Sequence, residues 1–315
     1  MLWRTVAGLL AARDGDGATG GARLRSLIAT GELLVAPGCY DALGARLIEQ
    51  AGFRAAYMTG FGSSAALLGR PDVGLLSMTE MVANAGRIVG AVDVPVIADA
   101  DTGYGNPVNV IRTVHEYQRA GVAAIHLEDQ VTPKRCGHTA GKQVVPEPEM
   151  SAKLRAAVAA RGSGDLVIIA RTDARAVEGF EAALERGRRY VDAGADMLFV
   201  EAPQSEHEVA LVAQAFPGVP LVFNEVIGGR TPPVEPERLR EWGFRLMLVP
   251  VATLLAATAA VRDLLERVRS AGTSRHLTPE HAFDEFLDLI GLAEVRAIER
   301  RFAPEQLTID QGAST

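Results

Sequence analysis

Eight short apolar runs, each followed by a longer amphipathic stretch, limit what this 315-residue chain can fold into. The runs are 33–37, 55–59, 94–99, 123–128, 166–170, 197–201, 221–224 and 244–249. Helical periodicity follows them near 41–51, 78–92, 107–120, 147–160, 178–193, 205–215, 235–241 and 252–269, with a shorter pattern at 22–30. Runs apolar on both faces, separated by helices, predict parallel strands joined by right-handed crossovers. Eight such units predict an α/β protein whose sheet closes on itself, a (β/α)8 TIM barrel. An open doubly wound sheet is the rival, but Gly60-Phe61-Gly62 lacks the third glycine of a dinucleotide fingerprint. Punctuation supports the phasing. Asp41 is placed to cap the second helical stretch, and Ser77 with Glu80 fits a capping box. Gly52, Gly121 and Gly194 stand where left-handed helix stops are expected.

Composition narrows the function. The net charge is −7 and no basic cluster stands out, which argues against nucleic acid as a partner. Charges interrupt the apolar runs before they reach about 20 residues, so no membrane span is expected. Two cysteines, Cys39 and Cys136, are too few for a disulfide framework and point to a reducing compartment, the cytoplasm. The expected organisation is a flexible arm over 1–20, a catalytic barrel over 21–270, a helical extension over 271–303 and a disordered tail over 304–315. One long amphipathic helix is expected over 277–302, and its Phe283, Phe286, Leu287, Ile290 and Leu292 need a surface to cover. On a finished barrel that surface is most simply a second subunit.

In such a barrel the chemistry gathers where the strands end. Those ends carry Thr59-Gly60, Asp99 with Asp101, Glu128-Asp129, Arg171-Thr172-Asp173, Glu201 and Asn224. Asp99 and Asp101, two apart on a strand, would point to one side and repel unless a cation lies between them. With Glu128 they form an oxygen-only set suited to Mg2+. Arg171, the strand-end cation, offers a planar fork to a substrate carboxylate; pairing with Asp173 or Glu201 is the structural alternative. The loop after the fourth strand reads Lys134-Arg135-Cys136-Gly137-His138 and ends at Gly141-Lys142. Its cations would favour the Cys136 thiolate, while Cys39 reads as a core residue.

The segments PGCYDALGARL, GRPD, ADADTGYGN, HLEDQ, PKRCGH with GK, ARTDA, FVEAP and the stretch from Asn224 through GGRTP resemble the phosphoenolpyruvate mutase/isocitrate lyase superfamily. The cysteine loop resembles its carbon–carbon lyase branch: the isocitrate, 2-methylisocitrate and 2,3-dimethylmalate lyases. The resemblance implies a barrel whose last helix is exchanged between subunits of a dimer, with dimers pairing into a homotetramer. It implies a small-molecule carboxylate substrate and Mg2+, with Mn2+ as substitute. Asp99 would bind the metal directly, with Asp72, Asp101 and Glu128 binding through water. Tyr57, Thr59, Gly60 and Gly137 would cradle a 2-oxo acid, and Arg171, His138 and Asn224 would hold carboxylates beside Glu201 and Lys134. Cys136 would be the acid/base on a gating loop. Two departures bear on the substrate. Thr139-Ala140-Gly141 follows the histidine, a pattern nearer the dimethylmalate group. Ile227 stands where the family commonly has an acid, with Glu225 two residues earlier.

The reaction so implied is a retro-aldol cleavage of a 2-hydroxy di- or tricarboxylate to a 2-oxo acid, pyruvate or glyoxylate, and a dicarboxylate. Alternatives are an oxaloacetate decarboxylase, a carboxyvinyl-carboxyphosphonate phosphorylmutase-like enzyme, a hydrolase with Cys136 as nucleophile, and a non-catalytic relative.

Overall fold

The computed structural model describes residues 18–275 and 282–303. The expected tail at 304–315, most of the expected arm and the first residues of the expected C-terminal helix lie outside them.

The chain opens with α1 (Gly20–Ala29), capped by the Thr19 hydroxyl. The barrel then runs β1 (Leu34–Cys39), α2 (Ala42–Gln50), β2 (Ala56–Met58), α3 (Gly60–Leu68), α4 (Met78–Ala91) and β3 (Val96–Asp99). It continues through α5 (Pro107–Arg119), β4 (Ala124–Glu128), α6 (Glu147–Arg161), β5 (Val167–Thr172) and α7 (Phe180–Asp192). It closes with β6 (Met197–Val200), α8 (Glu206–Ala215), β7 (Leu221–Asn224), α9 (Pro236–Trp242), β8 (Phe244–Val249) and α10 (Ala252–Ala271). All eight strands are parallel and pair in chain order. β8 returns to β1 with Leu34 opposite Leu246, which closes the barrel.

Two apolar cores follow from strand alternation. One fills the lumen with Leu34, Tyr57, Ile97, Ile169, Phe199 and Leu246 among others. The other, including Met58, Ile125, Leu154, Tyr190 and Leu198, lies between sheet and helices. Burying each large apolar side chain contributes about 1.5–3 kcal/mol. Asp41 accepts from the Gly44 N–H, and Ser77 with Glu80 makes both bonds of its capping box. Gly52, Gly121 and Gly194 all have positive φ.

Helix α3 has no counterpart in the sequence reading. Gly60 and Gly62 weaken the pattern, but Thr59 accepts from the Gly62 N–H and starts the helix. A C-terminal unit begins at Thr258. There the single long helix expected over 277–302 is two, α11 (Ala282–Leu289) and α12 (Leu292–Arg301). Gly291, at φ 85°, breaks them apart. Among the described residues no helix is long and apolar enough to cross a membrane.

Candidate active site

Asp99 is the last residue of β3, and Asp101 follows in a turn at φ 46°. The two carboxylates therefore do not converge by strand alternation, as expected, but because the chain turns back: the Asp101 N–H donates to Asp99 Oδ1 at 3.0 Å. Glu128, the last residue of β4, is buried, and neither of its carboxylate oxygens has a hydrogen-bond partner. Burial pushes its pKa well above the usual carboxylate range, against the pull of Arg171 and Lys134. Burial also drives Asp101 up to about 6, with Asp99 and Asp72 adding to the effect and Lys134 opposing it. For Asp99, burial is overcome by His126, Lys134 and Arg171, which hold it at about 2. Asp72, Asp99, Asp101 and Glu128 thus carry more negative charge than the neighbouring Lys134 and Arg171 balance, and protons or a cation must take up the rest. Among the described residues no three such side chains close into a preformed cage. Mg2+ does not need one, since it keeps several waters and takes few carboxylates directly. The orphaned Glu128 oxygens and the all-oxygen donor set fit it.

The cysteine loop is a hairpin. Gln130 and Val144 form an antiparallel bridge, and the Val131 N–H donates to the Gln143 carbonyl at 2.9 Å. The Gln130 side chain clasps the Arg135 backbone, Nε2 donating to its carbonyl at 2.8 Å and Oε1 accepting from its N–H at 2.9 Å. Lys134 reaches Asp72 at 2.7 Å and Asp101 at 2.8 Å, so it joins the hairpin to the acid cup. Cys136 is half-buried, and burial pushes its pKa above the usual thiol range. That shift runs against the expected thiolate. Lys134 is spent on two carboxylates and His138 lies against Glu201, so two of the three side chains expected to favour a thiolate, Lys134, Arg135 and His138, are engaged elsewhere.

Arg171 also departs from expectation. Its Nε and Nη2 donate to Asp173 at 3.0 and 3.2 Å, so one edge of the fork is taken within the protein. The guanidinium stacks 5.2 Å from the Phe199 ring centroid and lies 3.4 Å from Glu128 and 3.5 Å from Glu201. His138 Nε2 lies 2.8 Å from Glu201, and its Nδ1 accepts from the Arg230 N–H at 3.0 Å, which places the ring proton on Nε2. Asn224 Nδ2 reaches both Glu201 oxygens at 3.3 Å. Although Glu201 is buried, Arg171 and His138 hold its pKa down. Ile227 is 62% exposed, so it is not one of the buried groups of this cup.

Tyr57 faces the lumen, where its hydroxyl meets His126 Nε2 at 2.8 Å. The Thr59 hydroxyl caps α3 and brings that helix's N-terminus, the positive end of its dipole, to the cup. Gly60 is required there, because a Cβ would overlap the Asp99 carboxylate. At Gly137 a Cβ would run into Arg171 and Glu201. Gly137→Ala is accordingly expected to lift the hairpin and lower kcat/KM roughly 5- to 150-fold, the effect of about 1–3 kcal/mol of overpacking. Steady-state kinetics beside a melting curve will separate this from unfolding. The sequence reading missed His126, Lys142 and the network beneath the cup around Asp129, although Asp129, Thr172 and Asp173 all stood at strand ends.

A parallel barrel whose charged groups gather under a hairpin lid at the carboxyl ends of its strands is the frame of an enzyme. The family model for phosphoenolpyruvate phosphomutase matches residues 24–269, and the chain belongs to the phosphoenolpyruvate mutase/isocitrate lyase superfamily. A 2,3-dimethylmalate lyase of Eubacterium barkeri is 49% identical over 283 residues, covering 90% of this chain and 98% of its own. A solved 2,3-dimethylmalate lyase matches with a TM-score of 0.88 at 40% identity, covering 95% of this chain and 99% of its own. A phosphonopyruvate hydrolase solved with oxalate and Mg2+ matches with a TM-score of 0.82 at 33% identity, covering 91% and 100%.

Proposed function

We propose that the protein is a Mg2+-dependent carbon–carbon lyase that cleaves a 2-hydroxy di- or tricarboxylate, of the dimethylmalate or methylisocitrate kind, to pyruvate or glyoxylate and a dicarboxylate. The observation that carries this reading is Cys136, half-buried in a hairpin whose Lys134 is tied to the buried carboxylates of Asp72 and Asp101. Asp99, Asp101, Glu128 and Asp72 would hold the metal, and Mn2+ would substitute. When bound, Mg2+ supplies Lewis acidity toward the substrate's hydroxyl and neighbouring carboxylate and lowers the hydroxyl pKa. Thr59 and Gly60 present the N-terminus of α3 to the carboxylate of the 2-oxo acid half. A base takes the hydroxyl proton, the carbon–carbon bond breaks, and its electron pair passes to the departing half as an enolate. Arg171 and His138 stabilise the charge that develops there. Cys136 then gives its proton to the carbon, and the thiolate is reprotonated as the base loses the proton it gained. Glu201 orients His138 and Arg171 and is itself held by Asn224, and the Lys134 ammonium offsets the acids of the cup.

The test is oxo-acid release from a panel of 2-hydroxy di- and tricarboxylates with Mg2+, compared with chelator and with Asp99→Asn. Pyruvate or glyoxylate from one member, lost in both controls, is expected. Turnover of oxaloacetate alone would instead assign a decarboxylase, and turnover of a carboxyphosphonate alone a phosphorylmutase.

The same reading includes a homotetramer of helix-swapped dimers. In the C-terminal unit α11 and α12 bury no residue, and Phe283 is 71% exposed. An apolar helix face of that kind suits a partner subunit. Light scattering is expected to give a tetramer for the whole chain and a smaller species once residues after 275 are removed. Both cysteines are free, in keeping with the cytoplasm.

A further inference from the structure

The lid carries a second buried lysine that the reaction above does not use. Lys142 lies on the returning side of the hairpin, and its side chain is 2% exposed. A buried ammonium costs several kcal/mol unless it is paired, so its partners disclose what holds it there. They are two. Nζ donates to Asp173 Oδ1 at 2.7 Å and also to the carbonyl of Gly137. Asp173 is the carboxylate that grips Arg171. Gly137 is the residue between Cys136 and His138. One side chain therefore holds both the carboxylate that grips the strand-end guanidinium and the peptide at the centre of the lid.

We propose that Lys142 is a positioning residue for the lyase reaction: it fixes the Gly137 peptide so that Cys136 and His138 face the cup, and it shares Asp173 so that Arg171 keeps its charge for the substrate. The inference rests on the proposed function for what the thiol and guanidinium do, but the placement of Lys142 stands on contacts alone. The charge argument is one of competition. Asp173 alone with Arg171 would form a nearly neutral pair, and the guanidinium field would fade over the few ångströms to Glu128, Glu201 and the bound carboxylate. A second cation on Asp173 restores that field. The geometric argument concerns the lid. Lys134 ties it to Asp72 and Asp101 on the β3 side, whereas Lys142 ties it to the end of β5. With the Lys142 tie cut, the Gly137 peptide loses its anchor while the hairpin keeps its bridge, its Gln130 clasp and its Lys134 tie.

Lys142→Met keeps the length of the stem and removes the charge. It is expected to lower kcat roughly 10- to 100-fold, the range for losing a group that orients a reacting side chain, with KM changed much less. In the substrate-free protein, iodoacetamide at fixed pH should alkylate Cys136 at least about fivefold faster, because the Gly137 peptide beside the thiol is no longer held. Lys142→Arg, which keeps the cation, should hold alkylation and kcat near parent values. A purely structural lysine would shift the melting temperature and leave the alkylation rate of the folded protein unchanged. Parent-like alkylation and kcat in the folded Lys142→Met protein would overturn the proposal, and so would a Lys142→Arg protein that behaves like Lys142→Met. Alkylation needs no substrate. Faster alkylation beside a silent substrate panel would keep Lys142 as the lid's anchor and overturn the lyase reading instead.

Discussion

Cys136→Ser is expected to leave the melting temperature within a degree or two of the parent and to lower kcat by about 10²–10⁴-fold, the share that a positioned general acid supplies. The replacement is nearly isosteric, and the surrounding bonds do not depend on sulfur: the Cys136 N–H donates to the Asp72 carbonyl at 3.2 Å, and its carbonyl accepts from the Thr139 hydroxyl at 2.8 Å. What is lost is acidity, since a serine hydroxyl is a far weaker proton donor than a thiol. The direction of the thiol's shift adds a second observable. Burial raises the Cys136 pKa, so the proton-bearing form persists to higher pH than in a free cysteine. The acid form is the one that donates. Parent activity should therefore hold as pH rises through about 8.5, the ordinary thiol value, and fall only above it. A nucleophilic thiolate would give the opposite limb, with activity rising through that range. A kcat–pH profile of the parent, alongside single-point rates for Cys136→Ser, decides between them.

Asp129→Asn is expected to destabilise the barrel by about 3–5 kcal/mol, the cost of breaking a buried charged network from one side. Asp129 is wholly buried at the end of β4. Its Oδ2 accepts from the Thr172 hydroxyl at 2.7 Å and the Tyr190 hydroxyl at 2.8 Å, with Arg186 at 3.4 Å. Its Oδ1 accepts from the Asp173 N–H at 2.8 Å. Every neighbour donates, so an amide in this place sets N–H against donors on one side and leaves Arg186 without its inner carboxylate. The network joins β4, β5 and α7, and the loss falls on the part of the barrel that carries Arg171. For a domain of this size the lower bound of about 3 kcal/mol corresponds to roughly 6–12 °C in melting temperature. Urea titration with an unchanged m-value would locate the effect in the native state. A shift below about 1 kcal/mol would show that the network contributes little to stability.

The barrel was legible because its signals are local. Apolar runs of strand length, Asp41 and Ser77 at helix starts, and Gly52, Gly121 and Gly194 at helix ends each act within a few residues. Helix α3 was hidden because Gly60 and Gly62 look like a loop; they are glycines because Asp99 and Tyr40 lie against them. The break at Gly291 is a single left-handed residue inside an otherwise unbroken amphipathic pattern. Within the site, sequence supplied which charged residues reach the strand ends but not who neutralises whom. Lys134 with Asp72, Lys142 with Asp173 and His138 with Glu201 are contacts across the fold. Burial raises the pKa of the Cys136 thiol, and the grip of Asp173 leaves an expected open fork already half engaged.

The clasp of Gln130 on the backbone of Arg135 has a consequence for how substrate enters. A loop of this length could be a tangle that orders only when the ligand arrives, and ordering it would then draw on binding energy. Here the hairpin is folded on itself before it is folded on the barrel. Its internal shape belongs to its own bridge, its clasp and the Lys142 bond to Gly137; its address belongs to the two lysines together with His138 and the Cys136 backbone. Opening is then the swing of a finished part rather than the melting of a chain, and the thiol arrives over the cup already aimed.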